Sequence, residues 1–195
     1  GLMHADAKTC FGNGFGDFCQ EPTLIDGKIE WRSAAATSLD PEILTTPAMP
    51  FAPDGGVKLL EGNLGRSVIK TSAVEEQYHI VEAPAVVIDD QDDLKPLFEA
   101  GELDKDCVVV VRFQGPAANG MPELHKLTPM LGVLQDRGHK VALVTDGRMS
   151  GASGKVPAAI HLVPEASQGG PLGKIQTGDV IRLDATTGEL SACID

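Results

Sequence analysis

The fold of this chain is restricted above all by two short apolar runs. Residues 108–111 are four consecutive valines, and residues 140–144 read Lys-Val-Ala-Leu-Val. Unbroken runs of β-branched residues that end at polar, glycine-containing segments are typical of buried strands followed by loops. The two runs therefore predict a core of buried strands with polar loops at their ends.

Predicted strands and helices alternate from residue 57 onward. Strands are predicted at residues 57–60, 67–71, 85–88, 107–111, 140–144 and 159–162. Helices are predicted at residues 90–103, capped by aspartates, and at residues 122–137, with Pro122 in the first turn and Gly138 after the end. Residues 170–195 have the strand and turn pattern of a β-meander. Together these elements predict an α/β fold, a mixed β-barrel-like domain with flanking helices.

Residues 1–53 have a different character. They are rich in glycine, proline and small residues and show little periodicity. Their Gly-Asn-Gly-Phe-Gly run at residues 12–16 is not a dinucleotide fingerprint, because no strand precedes it and no amphipathic helix follows it. We predict a linker or lead-in over residues 1–53 and the barrel-like domain over residues 54–195.

Composition narrows the classes of partner. The 195 residues are 42% hydrophobic, which suffices for one sizeable core, and no apolar run approaches the roughly 20 residues of a membrane span. Because 28 acidic residues outweigh 16 basic ones, nucleic acid is disfavoured as a partner, although local basic groups still permit a phosphate ester. The four scattered cysteines form no zinc pattern, and free thiols in a reducing cytosol explain them most simply.

A glycine-rich loop follows the second apolar run. Residues 145–156 read Thr-Asp-Gly-Arg-Met-Ser-Gly-Ala-Ser-Gly-Lys-Val. The glycines permit close backbone approach to a ligand, and Arg148 and Lys155 bring positive charge near Ser150 and Ser153. This pattern predicts a loop in which Ser150 is exposed for chemistry on an anionic substrate. The alternative is a polar turn with solvated charges.

A second loop follows the valine run and contains Gly-Pro and Gly-Met-Pro-Glu at residues 115–116 and 120–123. With the Thr-Asp-Gly-Arg-Met-Ser-Gly segment, it resembles the C-terminal domain of the dihydroxy-acid and phosphogluconate dehydratase family. The resemblance runs from about residue 20 to the end of the chain, and residues 62–74, 118–127 and 150–166 favour the phosphogluconate branch. It implies a domain similar to the swivelling domain of aconitase. Since family members are much longer, the chain looks like an excised C-terminal domain that packs over a cluster-binding N-terminal domain.

The resemblance implies a reaction and its cofactors. The full-length protein is expected to convert 6-phospho-D-gluconate to 2-dehydro-3-deoxy-6-phospho-D-gluconate and water, in the cytoplasm, as part of the Entner-Doudoroff pathway. An iron-sulfur cluster, of the 4Fe-4S type, would be held by the N-terminal domain, and Mg²⁺ would be bound in part by Glu123. Ser150 matches the serine expected to remove the C2 proton. From the pattern alone, Glu123 could equally cap a helix N-terminus.

The remaining expectations concern substrate contacts and assembly. The candidate substrate-binding residues are Ser153, Arg148, Lys155, His125, Lys126 and Arg66. Asp146 is either a substrate ligand or a turn former, and His161, within an apolar strand, is predicted to be structural. The resemblance also implies a homodimer. Two alternatives stay open: a dehydratase for dihydroxy acids or unphosphorylated sugar acids, and a non-catalytic substrate-capping module. The isolated chain is expected to be inactive, because it lacks the other metal ligands.

Overall fold

The computed structural model describes residues 4–150 and 154–193. The chain forms two compact units, Gly1–Pro53 and Asp54–Asp195. Among the described residues, no helix has the length and apolar character needed to cross a bilayer.

The first unit contains two antiparallel hairpins. Strands β1 (Lys8–Thr9) and β2 (Gly12–Asn13) form a short one, and β3 (Gln20–Ile25) and β4 (Lys28–Ser33) form a longer one. Asp26 and Gly27 join β3 to β4 with φ angles of 48° and 75°, as a tight hairpin turn requires. A regular hairpin therefore lies within the segment that composition predicts to be a linker.

The second unit is built around a closed barrel of eight strands. They are β5 (Val57–Gly62), β6 (Gly65–Lys70), β7 (Ile80–Ile88), β8 (Cys107–Val111), β9 (Val141–Thr145), β10 (Ala158–Val163), β11 (Val180–Asp184) and β12 (Glu189–Ala192). Their order around the barrel is β10-β6-β5-β12-β11-β7-β8-β9. Strands β7 to β10 are parallel neighbours, and most other pairs are antiparallel. The predicted mixed barrel is confirmed, whereas the likeness to aconitase stays a prediction.

The helices are shorter than the sequence pattern predicts. They are α1 (Leu94–Glu99), α2 (Pro116–Asn119) and α3 (Thr128–Asp136). A 3₁₀ turn at Gln91–Asp93 precedes α1, and the Asp90 side chain caps that turn by accepting the Asp92 N–H at 2.8 Å. The expected first strand of the meander is instead a 3₁₀ turn at Pro171–Lys174.

The predicted helix start at residue 122 is wrong. Glu123 pairs with Arg148 in an isolated parallel bridge, and the Leu124 N–H donates to the Arg148 carbonyl at 3.3 Å. Because the backbone of Glu123 and Leu124 pairs with that of Arg148, residues 122–124 form no helix. A 3₁₀ turn at His125–Leu127 follows, and α3 begins at Thr128 with a proline in its first turn.

The two apolar runs are buried on both faces. Alternate side chains of β8 and β9 fill the barrel interior, and the intervening ones pack outward against α3. The inward side chains are Val108, Val110, Ala142 and Val144, and the outward ones are Cys107, Val109, Val111, Val141 and Leu143. Burial raises the pKa of the Cys107 thiol to about 11, so this cysteine stays protonated and belongs to the core. The lack of polar alternation in these strands follows from this double burial.

We expect Gly62→Ala to destabilise the barrel where β5 approaches β12. A Cβ at Gly62 would lie 2.0 Å from the Leu190 carbonyl oxygen, a backbone atom that cannot move aside without shifting its strand. The expected loss is about 2 to 4 kcal/mol of unfolding free energy, measured by urea denaturation. Gly132→Ala is the matched control, because its Cβ meets nothing within 4 Å. Since Gly132 lies within α3, that change should stabilise by up to about 1 kcal/mol.

The stability of the β11–β12 turn should depend on acid pH through Asp184. Burial acts to raise its pKa, but the Thr186 hydroxyl and the N–H groups of Thr186 and Thr187 donate to Oδ1 at 2.5, 2.9 and 3.0 Å. Their combined effect lowers the pKa from 3.8 to about 2. A carboxyl with a depressed pKa stabilises the fold above its unfolded pKa and loses that contribution as pH falls through its folded pKa.

The expected contribution of the Asp184 carboxylate is about 2 kcal/mol at pH 5, declining between pH 4 and pH 2. Urea unfolding of wild type and Asp184→Asn across this range tests it. The stability difference between the two proteins should shrink as pH falls. A difference that stays constant from pH 5 to pH 2 would contradict the assignment.

Candidate functional site

Parallel strands bring the two motif loops together. Strands β8, β9 and β10 are parallel neighbours, so their carboxyl ends lie at the same edge of the barrel. The Gly-Met-Pro-Glu segment follows β8, the Thr-Asp-Gly-Arg segment spans the end of β9, and the Pro-Glu-Ala segment follows β10. The topology therefore collects at one edge the loops that the sequence singles out.

Asp146 joins these three loops. Its side chain is buried, with Oδ1 accepting the Gln114 N–H and Oδ2 accepting the Ala166 N–H, both at 2.9 Å. Gln114 is held in turn by donating its side-chain amide to the Asp89 carbonyl at 2.7 Å. The sequence leaves Asp146 as either a substrate ligand or a turn former. These contacts favour a structural role, since both carboxylate oxygens accept backbone N–H groups.

The Glu123 carboxylate joins the loop after β8 to Ser150. Oε1 accepts the N–H groups of Ser150 at 2.7 Å and His125 at 3.1 Å. Oε2 accepts Arg148 Nη1 at 3.1 Å, and Arg148 Nε also donates to the Met121 carbonyl at 2.8 Å. The Glu123 carboxylate therefore joins the two motif loops and does not cap a helix.

These contacts limit what Glu123 offers to a metal. A carboxylate has about four lone-pair sites, and three hydrogen bonds leave room for one further ligand. In the described part of the chain, no group of three or more histidine, cysteine, aspartate or glutamate side chains could hold a metal ion. A hard cation at Glu123 would need its other oxygen ligands from elsewhere.

Ser150 lies at the surface, where it lines a small cleft with Lys70 and Ile160. For Lys70 the sequence leaves substrate contact and structural pairing equally open, and the structure places this residue at the same cleft as Ser150. Gly154, at the far end of the loop, packs closely on Ala73, since a Cβ there would lie 2.8 Å from the Ala73 Cβ. Ser153 lies outside the described residues.

The other predicted cations are paired with carboxylates. Lys155 pairs with Asp136, Lys126 with Asp92, and Arg66 with Glu61 at 2.9 Å. All of these side chains are at least half exposed, and exposed ion pairs contribute only about 0 to 1 kcal/mol, so their cations remain available to an anionic substrate.

These pairings alter the expected roles of the cations. Lys155, expected to stabilise a deprotonated Ser150, instead contacts Asp136 at the end of α3. Arg66 lies near the start of β6 and Lys70 at its end, so the structure brings Lys70 and not Arg66 to Ser150. His125 is exposed and contacts Glu123 through its backbone N–H.

Three residues near this edge have left-handed backbone conformations. Phe113, Met121 and His161 have φ angles of 59°, 55° and 56°. Such angles are rare for bulky residues and concentrate at functional sites. His161 is also exposed, so the prediction of a satisfied structural histidine within an apolar strand is wrong. The strand pattern could not reveal this, because alternation assumes a regular strand.

Comparison with known proteins agrees with the motifs. Residues 42–195 match the family model described as dihydroxy-acid/6-phosphogluconate dehydratase C-terminal. The chain belongs to this family, as its motifs predict.

Several curated relatives are similar over the whole chain. It is 58% identical to the phosphogluconate dehydratase of Pseudomonas aeruginosa and 57% identical to that of Escherichia coli (strain K12). It is 35% identical to the dihydroxy-acid dehydratase of Ignicoccus hospitalis. In each case all of this chain is covered, and it spans about a third of the relative's length, 32% or 33%.

Proposed function

We propose that the protein containing this chain is a hydro-lyase that converts 6-phospho-D-gluconate to 2-dehydro-3-deoxy-6-phospho-D-gluconate and water. The observation that carries this proposal is the Glu123 carboxylate, which binds the Ser150 N–H and Arg148 and so unites the two loops. Identity supports the phosphogluconate branch, at 57% and 58% against 35% for the dihydroxy-acid relative. The reaction belongs to the Entner-Doudoroff pathway and takes place in the cytoplasm.

Ser150 is the proposed base. Its deprotonated Oγ takes the C2 proton, the electron pair of the C2–H bond forms a C2=C3 double bond, and the C3–O bond breaks toward oxygen. The proton held by Ser150 passes to the departing hydroxide, which leaves as water. The resulting enol then tautomerises to the 2-keto acid. A free serine is a weak base, so its deprotonated form needs nearby positive charge. Lys70 supports this role, because it lines the same cleft as Ser150.

Two cofactors belong to the proposal. An iron-sulfur cluster, of the 4Fe-4S type with ligands in an N-terminal domain, and Mg²⁺ supply Lewis acidity for departure of the hydroxyl and for stabilising the substrate carboxylate. Glu123 is the proposed magnesium ligand from this chain, and its remaining lone-pair site is compatible with one bond to a hard cation. The protein is further proposed to be a homodimer.

Substrate binding is assigned to polar groups of the motif loops and of β6. They are Ser153, Arg148, Lys155, His125, Lys126 and Arg66, together with Lys70, which lines the cleft of Ser150. The exposed ion pairs of the cations support this assignment, because a phosphate or carboxylate of the substrate can replace a surface carboxylate at little cost.

Turnover by the full-length protein, purified without oxygen, tests the reaction. We expect 2-keto acid to form from 6-phosphogluconate with a kcat/KM at least about a hundredfold above that for gluconate or a branched-chain dihydroxy acid. The isolated chain should show no turnover, because among its described residues no group of side chains could hold a metal ion alone. Preference for the dihydroxy acid would assign the protein to the other branch. Turnover by the isolated chain would contradict the need for an N-terminal domain.

A further inference from the structure

Strand β10 contains a bulge at His161. Ile160 pairs with Val68 of β6, and Val163 pairs with Arg66, so β10 advances three residues while β6 advances two. The extra residue is the mark of a β-bulge. Ala159 and Leu162 both lie in the barrel core, although regular alternation would not place residues three apart on the same face.

The bulge keeps an imidazole out of the core. Ala159 faces the interior and Ile160 packs on the outside, so a regular strand would turn His161 inward. Instead His161 is exposed, with a φ of 56°, and Leu162 takes the interior position. Bulges next to active sites commonly re-aim a side chain in this way. Among the described residues, the His161 imidazole makes no hydrogen bond.

The backbone of His161 connects this bulge to the motif loops. Its N–H donates to the Gly147 carbonyl at 2.9 Å, directly before Arg148. Its side chain lines a cleft of about 410 Å³, together with Met121, whose φ is 55°. Arg148 donates to the carbonyl of Met121, which lines the cleft, and it also pairs with Glu123. Arg148 therefore connects the cleft to Glu123 and, through Glu123, to the Ser150 N–H.

The cleft has the size and lining of a small-molecule site. Its volume falls in the usual range of about 300 to 1,000 Å³, and apolar residues such as Val163 and Pro164 line much of it. Among the described residues that line it, none is lysine or arginine. Its acidic residues are the buried Asp146 and Glu165, which accept backbone N–H groups. An anion is therefore disfavoured there, whereas hydroxyls can hydrogen-bond to the side chains of His161 and Gln168.

We propose that this cleft binds the hydroxylated carbon chain of the sugar acid and that His161 hydrogen-bonds to one of its hydroxyls. His161 is then a specificity-determining residue that contacts the substrate away from the phosphate. The identity of the substrate rests on the proposed function, but binding of a polyol in the cleft can be tested without turnover.

Diethyl pyrocarbonate footprinting of the full-length protein, read by peptide mass spectrometry, tests the occupant. Gluconate and 6-phosphogluconate should each slow modification of His161 about tenfold at ten times the Kd, and inorganic phosphate should not. His139 is the control, because its ring binds Asp104 at 3.0 Å and it does not line the cleft. Absence of protection by the sugar acids, or protection by phosphate alone, would overturn the proposal.

Two variants separate recognition from backbone strain. Glycine adopts positive φ freely and asparagine does so more readily than most residues, so His161→Gly and His161→Asn both suit the bulge. We expect His161→Gly to retain its melting temperature while KM for 6-phosphogluconate rises at least about tenfold, with partial recovery in His161→Asn.

An unchanged KM in His161→Gly would leave His161 with no role in recognition and overturn the proposal. The outcomes also distinguish this inference from the proposed function. Protection of His161 by gluconate in a protein that forms no 2-keto acid would support the cleft and reject the reaction. Formation of 2-keto acid without protection of His161 would support the reaction and reject the cleft.

Discussion

Ser150→Ala should lower the kcat for dehydration of 6-phosphogluconate by about a thousandfold or more in the full-length protein. Alanine keeps the backbone N–H that donates to Glu123 at 2.7 Å, so the loop retains its main described anchor. Because the side chain lies at the surface, its removal should leave the melting temperature and metal content unchanged. Loss of turnover would then report the missing hydroxyl itself.

Ser167→Ala is the matched control for this experiment. Ser167 is also an exposed serine, located in the 3₁₀ turn Ala166–Gln168, and has no contact with Glu123 among the described residues. Its turnover should equal that of wild type. If Ser150→Ala turned over at a near-normal rate, the base would be another group, and Lys70 would be the first to test because it lines the same cleft.

Glu123→Gln should reduce turnover at least about a hundredfold and raise the Mg²⁺ concentration for half-maximal activity about 10- to 100-fold. Glutamine keeps the size of the side chain and a carbonyl oxygen that can accept the N–H groups of Ser150 and His125. It loses the negative charge that binds Arg148 and that would bind a hard cation. Fold stability should change by no more than about 1 kcal/mol, because the ion pair is 38% to 49% exposed.

Arg148→Gln is the matched variant, since it removes the same ion pair from the other side. If Glu123 acts only by holding Arg148, neither variant should shift the magnesium dependence. If Glu123 is a metal ligand, only Glu123→Gln should shift the magnesium dependence. A magnesium titration of both proteins, with iron content measured in parallel, decides between these roles.

Sequence patterns predicted the parts of the fold that rest on local regularity. The valine run of β8 and the apolar run of β9 were assigned correctly, because strands buried on both faces need aliphatic side chains at every position. The hairpin of β3 and β4 differs from the predicted linker: its Asp-Gly turn is a strong local signal for a hairpin, although the surrounding glycine and proline content favours a linker.

The site depended on contacts that no local pattern contains. The proline before Glu123 predicts a helix start, but pairing with Arg148, 25 residues later, holds Glu123 outside any helix. Lys70 lines the same cleft as Ser150 because β6 is a neighbour of β10 in the closed barrel. The bulge at His161 depends on the relative advance of two strands, which residues 158–163 alone do not specify.

The parallel order of β8, β9 and β10 has a consequence for how this family can diversify. Side chains of these strands fill the barrel interior, and the polar side chains that meet at their carboxyl ends belong to the connecting segments. Substitutions in those segments can therefore alter which acid is accepted without repacking the interior. We expect an exchange of residues 116–123 between phosphogluconate and dihydroxy-acid relatives to change substrate selectivity without altering the core, because Leu124 and Leu127, which follow this segment, are the buried residues there.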